Sequence, residues 1–204
     1  MKNRKANIAV FVSGGGTNLQ ALINASENAK MPHVRLSLVV SNRSDAYALK
    51  RAEKAGIPSL IIEKNHDPIE FENKLIAAVE ENGIDLIVLA GFMSILSERF
   101  TSLYPERIIN VHPSLIPAFC GKGFYGLRVH SDALDYGVKV TGATVHFVNE
   151  IPDGGRIILQ KAVLIKDGDT PEILQRRVME QAEWKILPRA VEIVSKEIVK
   201  NECL

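Results

Sequence analysis

The chain has 204 residues, of which 46% are hydrophobic and 24% charged, as in an ordinary globular protein. This length suits one well-buried domain, and the net charge of +1 gives no electrostatic reason to expect nucleic acid or an anionic membrane as partner. Cys120 and Cys203 fit neither a metal-ligand spacing nor a disulfide framework, and the N-terminal apolar run of six residues is too short for a signal peptide or a membrane span. We therefore expect a single cytoplasmic domain, residues 1–204, without a metal.

Short apolar runs alternate with amphipathic stretches in the first half of the chain. Four Val/Ile/Leu-rich runs predict strands covered on both faces, at 7–12, 34–40, 59–63 and 85–91. The intervening patterns predict helices within 17–29, 45–56 and 67–83. Asp45 and Asp67 are the predicted N-caps, and Gly56 and Gly83 the residues just beyond the C-terminal ends. This βαβα alternation predicts an α/β fold with a doubly wound, mostly parallel sheet.

The alternation changes after Leu96. A short strand, "RIINV", leads into a Gly-, Pro- and aromatic-rich loop and then into a helix near 129–136. Two longer runs, 141–148 and 156–165, predict an antiparallel pair at one sheet edge. A long terminal helix over 171–198 follows, with Thr170 as N-cap and a kink or division at Pro188.

The stretch "SGGGTN" follows the first predicted strand and opens the first helix. Glycine allows close backbone approach, and a helix N-terminus offers unpaired N–H groups to an anion. Ser13–Asn18 therefore forms either a phosphate cradle or a tight strand–helix turn. The stretch lacks the Gly-Lys-Ser/Thr of a P-loop, and Leu19 replaces the third glycine of a dinucleotide site. A phosphorylated small molecule is the favoured ligand.

Asn110 and His112 stand at i and i+2 near the end of a predicted strand, so both side chains project from the same face. An amide donates a hydrogen bond to a developing oxyanion, and an imidazole exchanges protons near neutral pH. Both residues could instead cap local backbone groups.

Thr144, His146 and Asp153 lie in "TGATVHFVNEIPDGG", whose glycines permit a sharp loop. A carboxylate beside an imidazole favours the protonated ring. With Asn110 these residues would supply oxyanion stabilisation, proton transfer and pKa control without a protein nucleophile. Alternatively, Thr144 and His146 point outward from an edge strand.

The chain resembles the phosphoribosylglycinamide formyltransferases, folate-dependent enzymes of purine synthesis. The resemblance covers essentially the whole chain, in the family's order, through "VFVSGGGTNLQALI", "LIVLAGFMSIL", "IINVHPSLIPAF", "GATVHFVNEIPDGGRIILQ" and "EWKILP". It implies a Rossmann-like nucleotide-binding half over 1–96 and a folate-binding, catalytic half over 97–204. It also implies formyl transfer from 10-formyltetrahydrofolate to the amine of glycinamide ribonucleotide, with small molecules as the partners and either a monomer or a dimer as the assembly.

The resemblance also implies roles for individual residues. His112 would donate the proton, Asn110 would bind the oxyanion, and Asp153 would raise the pKa of His112. The nucleotide substrate would contact Gly16, Thr17, Asn18 and Glu183. The folate would contact Met93, Ser94, Ile95, Leu96, Asn110, Asn149, Glu150, Ile151, Pro152 and Asp153.

Three features depart from the family's pattern. Ser94 stands where many members have arginine, Trp184 replaces a histidine, and the segment from Cys120 to His130 is longer than the usual Pro-Gly loop. One alternative is formyltetrahydrofolate deformylase, which normally has an N-terminal domain, whereas only six residues precede the first predicted strand here. The other alternative is a non-catalytic nucleotide-binding module. The related methionyl-tRNA formyltransferases normally have a further C-terminal domain.

Overall fold

The structure, a computed structural model, describes residues 4–201, so Cys203 lies outside the described residues. Within this range one sheet contains the strands β1 (Ala6–Val12), β2 (Val34–Ser41), β3 (Ser59–Ile61), β4 (Leu86–Leu89), β5 (Ile108–His112), β6 (Val140–Phe147) and β7 (Ile157–Leu164). The helices are α1 (Thr17–Glu27), α2 (Tyr47–Lys54), α3 (Pro68–Glu81), α4 (Glu98–Leu103), α5 (Leu127–Tyr136), α6 (Pro171–Val178) and α7 (Trp184–Asn201).

The sheet order is β3-β2-β1-β4-β5-β6-β7. The strands from β3 to β5 pair in parallel, whereas β6 pairs antiparallel with both β5 and β7. The predicted mostly parallel sheet with an antiparallel C-terminal edge is confirmed. Strand order reverses between β1 and β4, and open α/β sheets bind ligands beyond the carboxyl ends of the strands at such a point.

Alternate residues of the central strands supply two separate cores. In β1, Ile8 and Val10 pack with α1, α2, α6 and α7 in one apolar cluster. Ala9 and Phe11 face the opposite cluster, which α3 and α4 cover. Because both faces are covered, β1 is continuously apolar, as the sequence indicated.

The helix ends test the predicted caps. Asp67 accepts hydrogen bonds from the backbone N–H groups of residues 69 and 70, and Thr170 accepts one from residue 173, so both N-caps are confirmed. Gly56 and Gly83 have positive φ just beyond α2 and α3, as predicted. Asp45 as N-cap was wrong, because Ala46 occupies that position and the Asp45 carboxylate bonds to Arg43 instead.

Two differences concern element limits. Helix α4 was not predicted; Ser97 is its N-cap and accepts a hydrogen bond from the Phe100 N–H, while its own hydroxyl and N–H donate to the buried Glu72 carboxylate. The terminal helix is interrupted by a π-helical turn, Met179–Glu183, rather than at Pro188, which lies inside α7. A π turn contains one more residue per turn than an α turn and often marks a functional site.

Candidate functional site

The glycine-rich segment connects β1 to α1 at the point where strand order reverses. The Ser13 hydroxyl accepts a 2.8 Å hydrogen bond from the N–H of Met93, in the loop after β4, and thereby joins the two loops that flank this point. Gly16 precedes α1 with φ 69°, and a Cβ there would lie 2.7 Å from that of Ala48 in α2. The fold therefore requires this glycine for its left-handed backbone and for helix packing, whereas the sequence pattern had suggested a requirement for phosphate approach.

Cross-strand pairing brings the predicted catalytic residues together. Asn110 lies opposite His146, and His112 opposite Thr144, in the β5–β6 ladder. His112, Thr144 and His146 are all at least 96% buried. The alternative that Thr144 and His146 are outward edge residues is wrong, because β7 pairs with β6 on its other side.

Asp153 lies between the two imidazoles. Its Oδ2 is 3.4 Å from His112 Nδ1, and its Oδ1 is 3.5 Å from His146 Nε2. The N–H of Gly121 donates to Oδ2 at 2.8 Å and ties the carboxylate to the loop after β5. The turn that delivers Asp153 depends on Gly155, where a Cβ would lie 1.8 Å from the Phe147 carbonyl oxygen.

Backbone carbonyls determine which ring nitrogens are protonated. His112 Nε2 donates to the Phe119 carbonyl at 2.9 Å, which leaves Nδ1 facing Asp153. His146 Nδ1 donates to the Phe147 carbonyl at 2.7 Å, and its Nε2 accepts from the Asn110 amide at 3.3 Å. One N–H of Asn110 is thus fixed by His146, while the second is left for another acceptor.

Burial and charge oppose each other at His112. Burial lowers its pKa, and the Asp153 carboxylate raises it only in part, so the pKa of His112 is below its ordinary value. The Asp153 carboxylate thus acts on the pKa of His112 in the predicted direction, but burial has the larger effect. Burial also acts to raise the pKa of Asp153, yet His146, His112 and the Gly121 N–H together lower it below the usual range.

A second buried contact joins the glycine-rich segment to the π-helical turn. The Asn18 amide donates to Glu183 Oε2 at 2.7 Å, and both residues are at least 91% buried. Burial raises the pKa of Glu183, against an opposing effect of the Asn18 hydrogen bond. Asn18 Oδ1 has no hydrogen-bond partner among residues 4–201.

One cavity of about 600 Å³ joins these groups, within the usual range for small-molecule sites. Of the predicted site residues, its walls contain Thr17, Asn18, Met93, Ser94, Ile95, Asn110, His112, Pro152, Asp153 and Glu183. A smaller cavity of about 130 Å³ adds Leu96, Asn149, Glu150 and Ile151. Gly16 lines neither cavity.

Several residues of the larger cavity were not predicted. Gln175 and Met179 precede Glu183 by eight and four residues, a helical spacing that could have indicated them. The loop Gly121–Gly126 forms another wall, for which the sequence offers no periodic signal. Asn42 donates to the Ser94 hydroxyl at 2.9 Å, a contact between loops that sequence cannot reveal.

His130 lines the same cavity but is fully buried, and neither ring nitrogen has a hydrogen-bond partner among the described residues. Burial, assisted by the charge on His112, lowers the pKa of His130 to about 4. His130 is therefore neutral over the physiological range.

In residues 4–201 no group of three or more His, Cys, Asp or Glu side chains is placed to hold a metal ion. No helix in that same part of the chain is long and apolar enough to cross a membrane.

Known proteins are similar to this chain in sequence and in fold. The formyl transferase family model matches residues 6–191. The chain is 42% identical to the human trifunctional purine biosynthetic protein adenosine-3 over 203 residues, which are 98% of this chain and 19% of that protein. It is 40% identical to phosphoribosylglycinamide formyltransferase of Haemophilus influenzae over 186 residues, 90% of this chain and 84% of that protein. The chain thus spans about a fifth of the length of the trifunctional relatives.

Solved structures are similar to this chain over most of its length. Glycinamide ribonucleotide transformylase 1 from Symbiobacterium toebii superposes with a TM-score of 0.88 at 38% identity, covering 97% of this chain and 90% of that one. A formyltetrahydrofolate deformylase from Pseudomonas syringae has a TM-score of 0.85 at 25% identity, covering 95% of this chain and 62% of that one.

Proposed function

Since the chain belongs to the formyl transferase family, we propose that it transfers the formyl group of 10-formyltetrahydrofolate to the amine of N1-(5-phosphoribosyl)glycinamide, in de novo purine synthesis. The amine nitrogen attacks the formyl carbon, and a tetrahedral intermediate forms. The bond from that carbon to N10 of the folate then breaks, and the proton lost by the amine is returned to N10. No protein nucleophile is required.

Asn110 is the proposed oxyanion ligand. Because His146 accepts one of its N–H groups, the amide is oriented before the substrate arrives, and its second N–H is available to the developing oxyanion. Such preorganised donors stabilise the transition state without a reorganisation cost.

His112 is the proposed proton donor, with Asp153 assisting proton movement. Its Nε2 proton is held by the Phe119 carbonyl, on a residue with φ 49°. For the proton to be transferred, the substrate would replace the Phe119 carbonyl as the partner of Nε2. Asp153 at Nδ1 favours the protonated ring against the effect of burial.

The nucleotide substrate is assigned to one end of the large cavity, and the folate to its other end and to the smaller cavity. We assign Gly16, Thr17, Asn18 and Glu183 to the nucleotide substrate, with Gly16 acting through the backbone it shapes. The folate is assigned to Met93, Ser94, Ile95, Leu96, Asn110, Asn149, Glu150, Ile151, Pro152 and Asp153. Met93 and Ile95 are 57% and 73% exposed, which leaves apolar surface available to a ring system.

The wider assignments follow from this activity. A single formyltransferase domain, with a nucleotide-binding half at 1–96 and a folate-binding, catalytic half at 97–204, would act in the cytoplasm on small molecules. The residues assigned to each ligand come from both halves, so each ligand would contact both.

The observation that carries the proposal is the convergence of Asn110, His112 and Asp153 on the cavity that the glycine-rich segment also borders. The test is an assay with 10-formyltetrahydrofolate, with and without glycinamide ribonucleotide, in which formylated product and free formate are both measured. Product that depends on the nucleotide supports the proposal. Formate release that is independent of the nucleotide would indicate a deformylase, and neither product would indicate a binding module.

A further inference from the structure

We propose that the groove between α1 and α7 is a second ligand site, which takes a small aromatic molecule carrying a phosphate or a similar multiply charged anion. The groove has a volume of about 580 Å³, comparable with the catalytic cavity. Thr17 is the one residue that lines both, so the groove and the catalytic cavity share only the first turn of α1.

Charge around the groove favours an anion. Four cationic side chains line it, those of Lys30, Arg51, Lys185 and Arg189, against one carboxylate, that of Glu192. Lys30, Lys185 and Arg189 form no ion pair and no side-chain hydrogen bond with residues 4–201. Uncompensated cations on one concave surface create a local positive potential although the whole chain is nearly neutral.

The two remaining charges are already held in place. Arg51 donates from Nε to the Gly15 carbonyl at 2.8 Å and from Nη1 to the Gln20 side chain at 2.9 Å, so its guanidinium is fixed at the rim. Glu192 accepts hydrogen bonds from the backbone N–H and the ring of His33, at 3.2 and 2.5 Å. The carboxylate is therefore directed to His33, which leaves the other cations without a counterion.

The walls between these charges are apolar and include an aromatic ring. Trp184, Pro188 and Ile193 of α7 face Ala21 and Ala25 of α1 across the groove. An indole face attracts another ring system by stacking, and cations at the rim bind the anion that the ring carries. A groove of this volume also has the size of a small-molecule site rather than of a protein interface.

The test uses Trp184 as its own reporter, because it is the only tryptophan of the chain and gives one indole N–H signal in an NMR spectrum. We expect 2-naphthyl phosphate to shift that signal saturably. We expect inorganic phosphate alone and 2-naphthol alone to bind more weakly, since each lacks half of the recognised chemistry. Ribose 5-phosphate also lacks the aromatic ring, so it should compete no better than inorganic phosphate does.

A pair of charge-reversal variants gives the matched control. Lys185 and Arg189 line the groove without a partner in the described range, so K185E/R189E should fold and should weaken 2-naphthyl phosphate by about tenfold. K196E/K200E makes the same change of charge on exposed positions of α7 outside the groove and should leave binding unchanged. Thermal unfolding of both variants checks that they fold, and K185Q/R189Q, which removes the charges without reversing them, provides a second measurement.

Three results would overturn the proposal: no saturable shift, equal weakening by both reversal pairs, or displacement by ribose 5-phosphate at concentrations at which inorganic phosphate has no effect. None of them bears on formyl transfer, because the measurement is direct binding at a separate groove. Failure of this site and failure of the proposed function are therefore distinguishable.

Discussion

His112 combines deep burial with a carboxylate at one ring nitrogen and a backbone carbonyl at the other. Replacing it with alanine removes the proposed proton donor, and general acid–base groups typically contribute ~10²–10⁴-fold to rate. We expect turnover of His112→Ala to fall by at least about that range. Steady-state kinetics measures the fall, and calorimetry with each ligand should show binding largely retained. Near-normal turnover would remove His112 from the mechanism.

Asp153→Asn tests the electrostatic part of that arrangement. The change keeps the size of the side chain and an oxygen for the Gly121 N–H, but it removes the charge that opposes the effect of burial on His112. We expect the pKa of His112, already low, to fall further, with activity lost most strongly at neutral and higher pH. NMR titration of the His112 ring in both proteins is the direct measurement. An unchanged pKa in a folded variant would assign Asp153 to geometry or water placement.

At the scale of elements, the turn between β1 and α1 depends on one glycine more than on its neighbours. Gly16 has φ 69°, and a Cβ there would lie 2.7 Å from Ala48 Cβ and 2.9 Å from its Cα. Gly16→Val should therefore displace α2 and lower the free energy of unfolding by about 1–3 kcal/mol or more, through overpacking and backbone strain. The variant should also lose more affinity for the nucleotide substrate than for the folate, because the phosphate cradle is distorted.

Gly14→Ala is the matched control, since a Cβ there meets nothing within 4 Å and its φ lies outside the left-handed region. Urea unfolding monitored by circular dichroism compares the two variants, and calorimetry compares the two ligands. If Gly16→Val were as stable as Gly14→Ala, the proposed clash with Ala48 would be wrong. Equal loss of both ligands in the valine variant would mean that the damage is general.

For the whole molecule, the buried His130 links stability to pH. The pKa of His130 is about 4 in the folded protein, whereas the ordinary value for histidine is 6.5. As pH falls below 6.5, the unfolded chain therefore takes up a proton at His130 before the folded protein does. The folded protein is therefore not destabilised by His130 above pH 6.5, and it loses stability relative to the unfolded chain as pH falls from 6.5 towards 4. The loss amounts to on the order of 3 kcal/mol over that window.

His130→Leu should flatten the pH dependence of the free energy of unfolding between pH 6.5 and 4, because leucine has no proton to gain. His66→Leu, at an exposed position, should leave the dependence as it is in the unmodified protein. Urea denaturation at a series of pH values gives the three curves. Parallel curves for His130→Leu and the unmodified protein would show that His130 is not the linked group.

The sequence by itself determined much of this molecule. Continuous apolar runs identify strands that are buried on both faces, and helical spacing with Asp67 and Thr170 identifies where helices begin, because both signals are local. The i, i+2 spacing likewise suffices to place Asn110 and His112 on one face of β5. These inferences need only neighbouring residues.

Tertiary structure alone decided how the site residues meet. The register of β5 on β6 places Asn110 opposite His146, and a glycine-dependent turn brings Asp153 between the imidazoles. The net pKa of His112 depends on burial by distant segments, which outweighs the neighbouring charge that the sequence suggested. Gly16 likewise owes its requirement to Ala48, in the next helix along the chain. Each of these features is a contact between residues far apart in sequence, and no local pattern encodes such a distance.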